Sequence, residues 1–192
     1  MNPQGRSPRA GAHFPQAPAQ EDPMDRLILL RHGSAEAESP TERDIDRNLT
    51  ENGRRDAALV ARALAEANLT PDLVLVSPAA RTVQTWQAVQ PFLLAARCQV
   101  EPSLYAIAST EILALAKSQG GGARAVMVIG HNPALGQLAA WLANEGPAPA
   151  EVRLRLAQGF PTAAAAVIDF KPRGFAFYSP QALGPQPVGD GA

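Results

Sequence analysis

The 192-residue sequence holds one cysteine, three histidines and few aromatic side chains, and each scarcity excludes something. A lone thiol, Cys98, rules out an intrachain disulfide, suits a reducing compartment and leaves no cysteine-built zinc site. Neither sign of charge is in excess. With 17 Lys and Arg against 18 Asp and Glu, the net charge is −1, which argues against nucleic acid or an anionic membrane as a general partner. Long hydrophobic runs are also missing. The stretch Leu27-Ile28-Leu29-Leu30 is too short for a bilayer span or a signal-peptide apolar region. The sequence therefore reads as cytoplasmic and without a membrane segment. Its 46% of apolar residues are enough to bury one substantial core.

Proline is crowded at the start. Residues 1–23 carry five prolines with Gly, Gln, Ala and Arg between them, and too few aliphatic side chains to offset the entropy of ordering. A disordered Pro-rich tail is expected over 1–24, with Met24 able to serve as an alternative start. Residues 179–192 are expected to be a loose C-terminal tail. The folded unit is then 25–178, and it shows no internal repeat.

Within that unit, apolar runs of strand length alternate with helical patterns. Arg26–Leu30, Leu73–Val76 and Ala125–Ile129 are near-continuous apolar runs, and a weaker strand falls around Gln99 and Val100. Thr50 can cap a helix whose buried face is Ala57, Val60, Ala61, Leu64 and Ala67, ended before Pro71. Further helices are expected over 79–90 (ended or kinked by Pro91), over Glu111–Lys117 before Gly120-Gly121-Gly122, and from Ala134 to Ala143. Ala164–Phe170 and Phe175–Tyr178 close the chain as a strand pair around Pro172-Arg173-Gly174. Apolar strands separated by helices predict an α/β fold, its sheet covered on both faces, with ligands beyond the carboxyl ends of the strands.

Two of the three histidines fall there. His32 follows the first strand in Arg31-His32-Gly33, and His131 follows the fourth in Gly130-His131-Asn132-Pro133. Single histidines are usually satisfied structural residues, but two at matching topological positions point to a site. His13 lies in the N-terminal tail and has no role. Gly33 permits a sharp turn, and Arg31 would be costly at the end of a buried strand unless an anion paired its guanidinium. In Ser77-Pro78-Ala79-Ala80-Arg81-Thr82-Val83-Gln84-Thr85, Arg81 falls near the first turn of a helix. A cation is unfavourable there unless an anion sits there too. Pro133 at a helix start fixes the turn that aims His131.

In order, these clusters resemble the histidine phosphatase superfamily, the group of phosphoglycerate mutases, acid phosphatases and SixA-type phosphohistidine phosphatases. The resemblance also takes in Leu49-Thr50-Glu51-Asn52-Gly53 and Phe160-Pro161-Thr162-Ala163. It implies a three-layer α/β/α sandwich on a mainly parallel mixed sheet, phosphoglycerate mutase-like. It also implies a phosphatase that needs neither metal nor cofactor. His32 would take the phosphoryl group, with Arg31, Arg81 and a protonated His131 holding its oxygens and Gly33 lining the substrate site. Arg47, in Arg47-Asn48-Leu49-Thr50, approximates a basic residue that reaches the phosphate in SixA-like members, although proline is common where Asn48 stands.

A general acid is harder to place. Glu36, Asp44 and Asp46 follow His32 closely, Glu101 precedes Pro102, and each reads more naturally as a solvated loop carboxylate. A phosphoramidate tolerates this lack better than an ester, and no insertion between Tyr105 and Ala125 is long enough for a lid. Both features favour a phosphohistidine-bearing partner protein as substrate, with inorganic phosphate as product. A small-molecule phosphatase or phosphoglycerate mutase-like enzyme is the nearest rival. An inactive phosphoprotein-binding module comes second. A nucleotide site is disfavoured because Gly120-Gly121-Gly122 precedes its strand, and a metal hydrolase because two usable histidines are too few ligands.

Overall fold

The computed structural model describes residues 24–183. The Pro-rich segment 1–23, His13 within it, and residues 184–192 lie outside the described residues. Strand β1 (Arg26–Arg31) sits near the middle of a six-stranded sheet. β2 (Leu73–Val76), β3 (Arg97–Val100) and β4 (Ala125–Gly130) run parallel to it, while β5 (Ala165–Phe170) and β6 (Arg173–Tyr178) form an antiparallel hairpin. The order is β3-β2-β4-β1-β5-β6, the mixed, mainly parallel sheet expected. β1 and β4 are neighbours in a register that sets Arg31 beside Gly130, so His32 and His131 leave the sheet side by side.

Alternation along the strands builds two cores. Leu27, Leu29, Leu75, Val126 and Val128 pack on one face with Ile112, Leu135, Leu138 and Leu156. These come from α3 (Ser109–Gly120), α4 (Ala134–Glu145) and α5 (Ala150–Gln158). Ile28, Leu30, Val74, Val76, Met127 and Ile129 pack on the other face with Val60, Leu64, Trp86 and Val89, from α1 (Glu51–Glu66) and α2 (Ala80–Val89). Each fully buried Leu or Ile contributes about 1.5–3 kcal/mol, so the two faces together clamp β1 and β4 firmly.

Some expectations shift. Met24, assigned to the tail, is buried at 3% exposure and belongs to the first core. The segment from 179 is not loose throughout: Ser179 is buried, Pro180–Leu183 form a helical turn, α6, and Leu183 packs on the second core. Ala67 is exposed, because α1 stops at Glu66 and Asn68 turns back at φ 56°. α3 is longer than expected and ends where Gly121 takes φ 53°. The helix α5 was not anticipated, although Val152 and Leu156, one turn apart and both buried, carry its signal.

Candidate active site

The loop after β1 is held by backbone-to-backbone contact with the start of α1. Thr50 caps that helix by accepting from the Gly53 amide at 2.9 Å, and the Thr50 amide donates to the Ser34 carbonyl at 2.9 Å. A Cβ on Gly33 would collide with the Gly53 carbonyl, and one on Gly53 with the Ser34 carbonyl. The sequence Leu49-Thr50-Glu51-Asn52-Gly53 is thus a cap plus a close-approach glycine, and it fixes Gly33 and Ser34, the two residues that follow His32. From the other side the Ala163 amide donates to the His32 carbonyl at 3.0 Å, with Ala163 itself in the left-handed region at φ 57°.

His32 Nδ1 lies 2.7 Å from the Gly33 carbonyl oxygen. A carbonyl only accepts, so Nδ1 carries the proton, and in the neutral ring Nε2 keeps its lone pair. Burial, then the charges of Arg81, Arg31 and Arg47, push the imidazole pKa down to about 4 against the opposing pull of the Gly33 carbonyl. The His131 ring stands 5.2 Å away, centroid to centroid, tilted by 56°. Its Nε2 is 2.8 Å from the Ser77 hydroxyl, and its Nδ1 is buried without a partner among the described residues. Burial, with His32 and Arg81 next, lowers the His131 pKa to about 3. These surroundings favour the neutral His131 ring unless an anion lies beside it. An imidazolium there requires the charge of a bound anion.

Arg31 ends β1 with its guanidinium turned to the Phe160 carbonyl, Nη1 donating at 2.8 Å, while its buried Nε has no partner among the described residues. Asn132 donates to the same carbonyl at 2.9 Å. Arg81, in the first turn of α2 and 8% exposed along its side chain, donates from Nη1 to the Asp44 carbonyl at 2.7 Å. Its Nη2 reaches the Asp44 carboxylate at 2.9 Å. The anion that the sequence demanded beside Arg81 is, in the free site, a carboxylate of the chain itself. Arg47 donates to the Glu36 carbonyl at 2.7 Å and to the Asp44 carboxylate at 3.1 Å.

These groups surround one cavity of about 340 Å³, lined by Arg31, His32, Arg47, Arg81, His131 and Thr162 among others. Five of the six residues named from sequence converge there. Gly33, expected to touch substrate, does not line the cavity: its amide is taken by the Thr85 hydroxyl at 3.1 Å, and its place is in the packing of the loop. Three of the weighed carboxylates, Asp44, Asp46 and Glu101, are already engaged by neighbours. Asp44 is held ionised, its pKa lowered to about 2 by Arg47, with Tyr105 and Arg81 adding to the effect. Asp46 is lowered by Arg43 and Thr41, and Glu101 accepts from the amide and hydroxyl of Ser103. Sequence reading gave no role to Ser77, Tyr105 or Asn132, whose motifs show no more than a strand or turn ending nearby. No group of three or more His, Cys, Asp or Glu among the described residues could hold a metal ion, and no helix among them is long and apolar enough to cross a membrane.

The sequence model of the histidine phosphatase superfamily (branch 1) matches residues 27–158. The chain belongs to that superfamily. A crystal structure from Agrobacterium tumefaciens, assigned as a phosphohistidine phosphatase SixA, is 32% identical with a TM-score of 0.70. The alignment spans 81% of this chain and 98% of that one. The protein histidine phosphatase SixA complexed with tungstate is 29% identical with a TM-score of 0.66, covering 83% of this chain and 99% of that one. An uncharacterised chloroplastic protein of Arabidopsis thaliana is 38% identical over 89 residues, 45% of this chain and 41% of that protein's length. More distant superfamily folds include a phosphoglycerate mutase from Plasmodium falciparum, 16% identical with a TM-score of 0.51, which supports the phosphoglycerate mutase-like fold.

Proposed function

We propose that this protein is a phosphatase in which His32 Nε2 receives the phosphoryl group, acting on phosphohistidine carried by a partner protein. The observation that carries the reading is the fixed tautomer of His32: with Nδ1–H bound to the Gly33 carbonyl, the lone pair on Nε2 is free in a cavity walled by three guanidiniums. Attack forms the Nε2–P bond and leaves a positively charged imidazole ring, which the Nδ1–H···O bond stabilises. The bond from phosphorus to the leaving nitrogen breaks with its electron pair. Water then attacks phosphorus, the His32–P bond returns its pair to Nε2, and inorganic phosphate departs. The unpartnered N–H of Arg31 is a donor suited to phosphoryl oxygens, His131 Nδ1 becomes one when the Ser77 hydroxyl donates to Nε2, and Arg81 and Arg47 add charge. Tungstate, bound by one SixA neighbour, is an oxyanion of the same class.

The choice of substrate rests on the leaving group. An alkoxide must be protonated as it leaves, and Asp44, Asp46 and Glu101 are each ionised or engaged by neighbours. A phosphohistidine protonated on its distal nitrogen, a group titrating near pH 6.5 when free, departs as neutral imidazole with no acid from the enzyme. The site is also broad. A groove of about 620 Å³ adjoins the cavity and shares Arg31 and Asn132 with it, leaving room for a protein-borne side chain. The test is phosphate release, with EDTA present, by the wild-type protein and His32→Ala on a phosphohistidine-bearing protein and on a generic phosphate ester. Release from phosphohistidine that vanishes in the variant supports the reading. Ester cleavage alone moves the substrate to small molecules, and release that survives the substitution defeats the role of His32.

A further inference from the structure

Asp44, in the loop between β1 and α1, is a point on which several distant segments converge. Its carbonyl and carboxylate take the two Nη atoms of Arg81, at 2.7 and 2.9 Å. Its other carboxylate oxygen takes Nη1 of Arg47 at 3.1 Å. Tyr105, from the turn after β3, donates its hydroxyl to the same carboxylate at 3.0 Å. The Tyr105 ring in turn meets the His131 ring edge-on, 5.7 Å between centroids. One side chain thus links Arg81, Arg47 and, through Tyr105, His131.

We propose that Asp44 is a positioning and charge-setting residue for the phosphoryl site: it holds Arg81 and Arg47 in fixed orientation and trims the site's charge to that of a phosphoryl dianion. The proposal rests on the phosphatase reading above. A guanidinium offers five N–H groups, and Asp44 uses two on Arg81, so three remain for a ligand. A long side chain clamped at two points loses its rotamer freedom before substrate arrives, and the substrate does not have to order it. Three guanidiniums against one carboxylate leave two positive charges around the cavity while both imidazoles are neutral. That balance matches a dianion and does not over-bind the phosphate product. Asp44 touches no reacting atom in this scheme. It acts through Arg81, Arg47 and Tyr105.

A carboxylate that merely filled an empty anion site would behave differently, since phosphate would have to expel it and its removal would help. The experiment is therefore steady-state kinetics together with calorimetric binding of inorganic phosphate, for the full chain as wild type, Asp44→Asn, Asp44→Glu and His32→Ala. The expected result for Asp44→Asn is kcat lower by about 10- to 100-fold, phosphate bound more tightly, and an unchanged melting temperature. Asp44→Glu restores the charge at the wrong length, so phosphate affinity returns to the wild-type value while kcat stays low. Turnover of Asp44→Asn at or above wild type overturns the proposal in favour of a displaceable plug. A fall in kcat that tracks a lower melting temperature and weaker phosphate binding in both Asp44 variants overturns it in favour of simple support of the fold. Turnover that persists in His32→Ala instead defeats the parent reading, and wild-type protein that neither binds phosphate nor turns over defeats both.

Discussion

The two ends of the parallel strands are built to opposite rules. At their amino ends, charges are paired off within the protein. Arg26 binds Asp169 at 2.6 Å, Arg124 binds Asp25 at 2.6 Å, and one Asp72 oxygen accepts from the amides of Arg124 and Ala125 at 2.8 and 2.9 Å. Around the carboxyl ends of β1 and β4, Arg81 and Arg47 share the Asp44 carboxylate, while Arg31 meets only the Phe160 backbone carbonyl. The two buried side-chain polar atoms without partners among the described residues, Arg31 Nε and His131 Nδ1, are both there. Buried polar groups are normally satisfied, and leaving them open costs stability. One end of the sheet closes the fold. The other leaves two buried polar atoms without partners among the described residues, which the proposed reaction would use.

Breaking the open end should be far more damaging to activity than breaking the closed one. His32→Ala removes the proposed nucleophile, and turnover should fall on the order of 10³-fold or more while circular dichroism stays native. Arg81→Ala removes a charged donor of the proposed phosphoryl site, with an expected loss of about 10²–10³-fold in kcat. Gly33→Ala forces a Cβ into the Gly53 carbonyl, so it should cost about 1–3 kcal/mol in denaturant unfolding, and activity should fall with the displaced loop. At the closed end, Arg26→Ala should cost only about 0.2–1 kcal/mol and leave kcat unchanged. A large kinetic effect from Arg26→Ala would erase the distinction between the ends.

The same contrast can be sharpened by pH. Burial and the adjacent guanidiniums lower both site histidines, His32 to about 4 and His131 to about 3. The reactive neutral form of His32 is therefore complete at neutral pH and lost as pH falls through about 4. In the unfolded chain both rings titrate near 6.5, so that state takes up protons first. Stability contributed by keeping them neutral is full above pH 6.5 and declines as pH falls toward 3. Imidazole titration by NMR on the free protein checks this, and midpoints near 6.5 would mean that the site is solvated and its charges ineffective. Saturating phosphate should raise the His131 midpoint.

The legible parts of this fold are those where local pattern and burial agree. β1, β2 and β4 are almost wholly buried and read directly as apolar runs, whereas β3 is an exposed edge strand and left only a faint trace. α5 was missed because a short helix on the rim needs only two apolar anchors, Val152 and Leu156. In the site, Arg31, His32, Arg81 and His131 could be named because each follows a strand in a short motif. The clamp around Asp44 could not. Its partners Arg81 and Tyr105 are 37 and 61 residues away, and only the folded sheet brings them together. Gly33 was placed correctly in the chain but given the wrong duty, because a glycine that permits close packing and one that approaches a ligand look alike in sequence.

The central claim is that His32 itself carries the phosphoryl group. The direct measurement is a rapid quench of the protein with a phosphohistidine-bearing substrate, followed by peptide mapping under alkaline conditions that preserve phosphohistidine. The account predicts one phosphoryl group on the peptide containing His32, formed and lost at rates compatible with turnover and absent in His32→Ala. Phosphate release at the normal rate with no label on His32, or with the label on another residue, would contradict it.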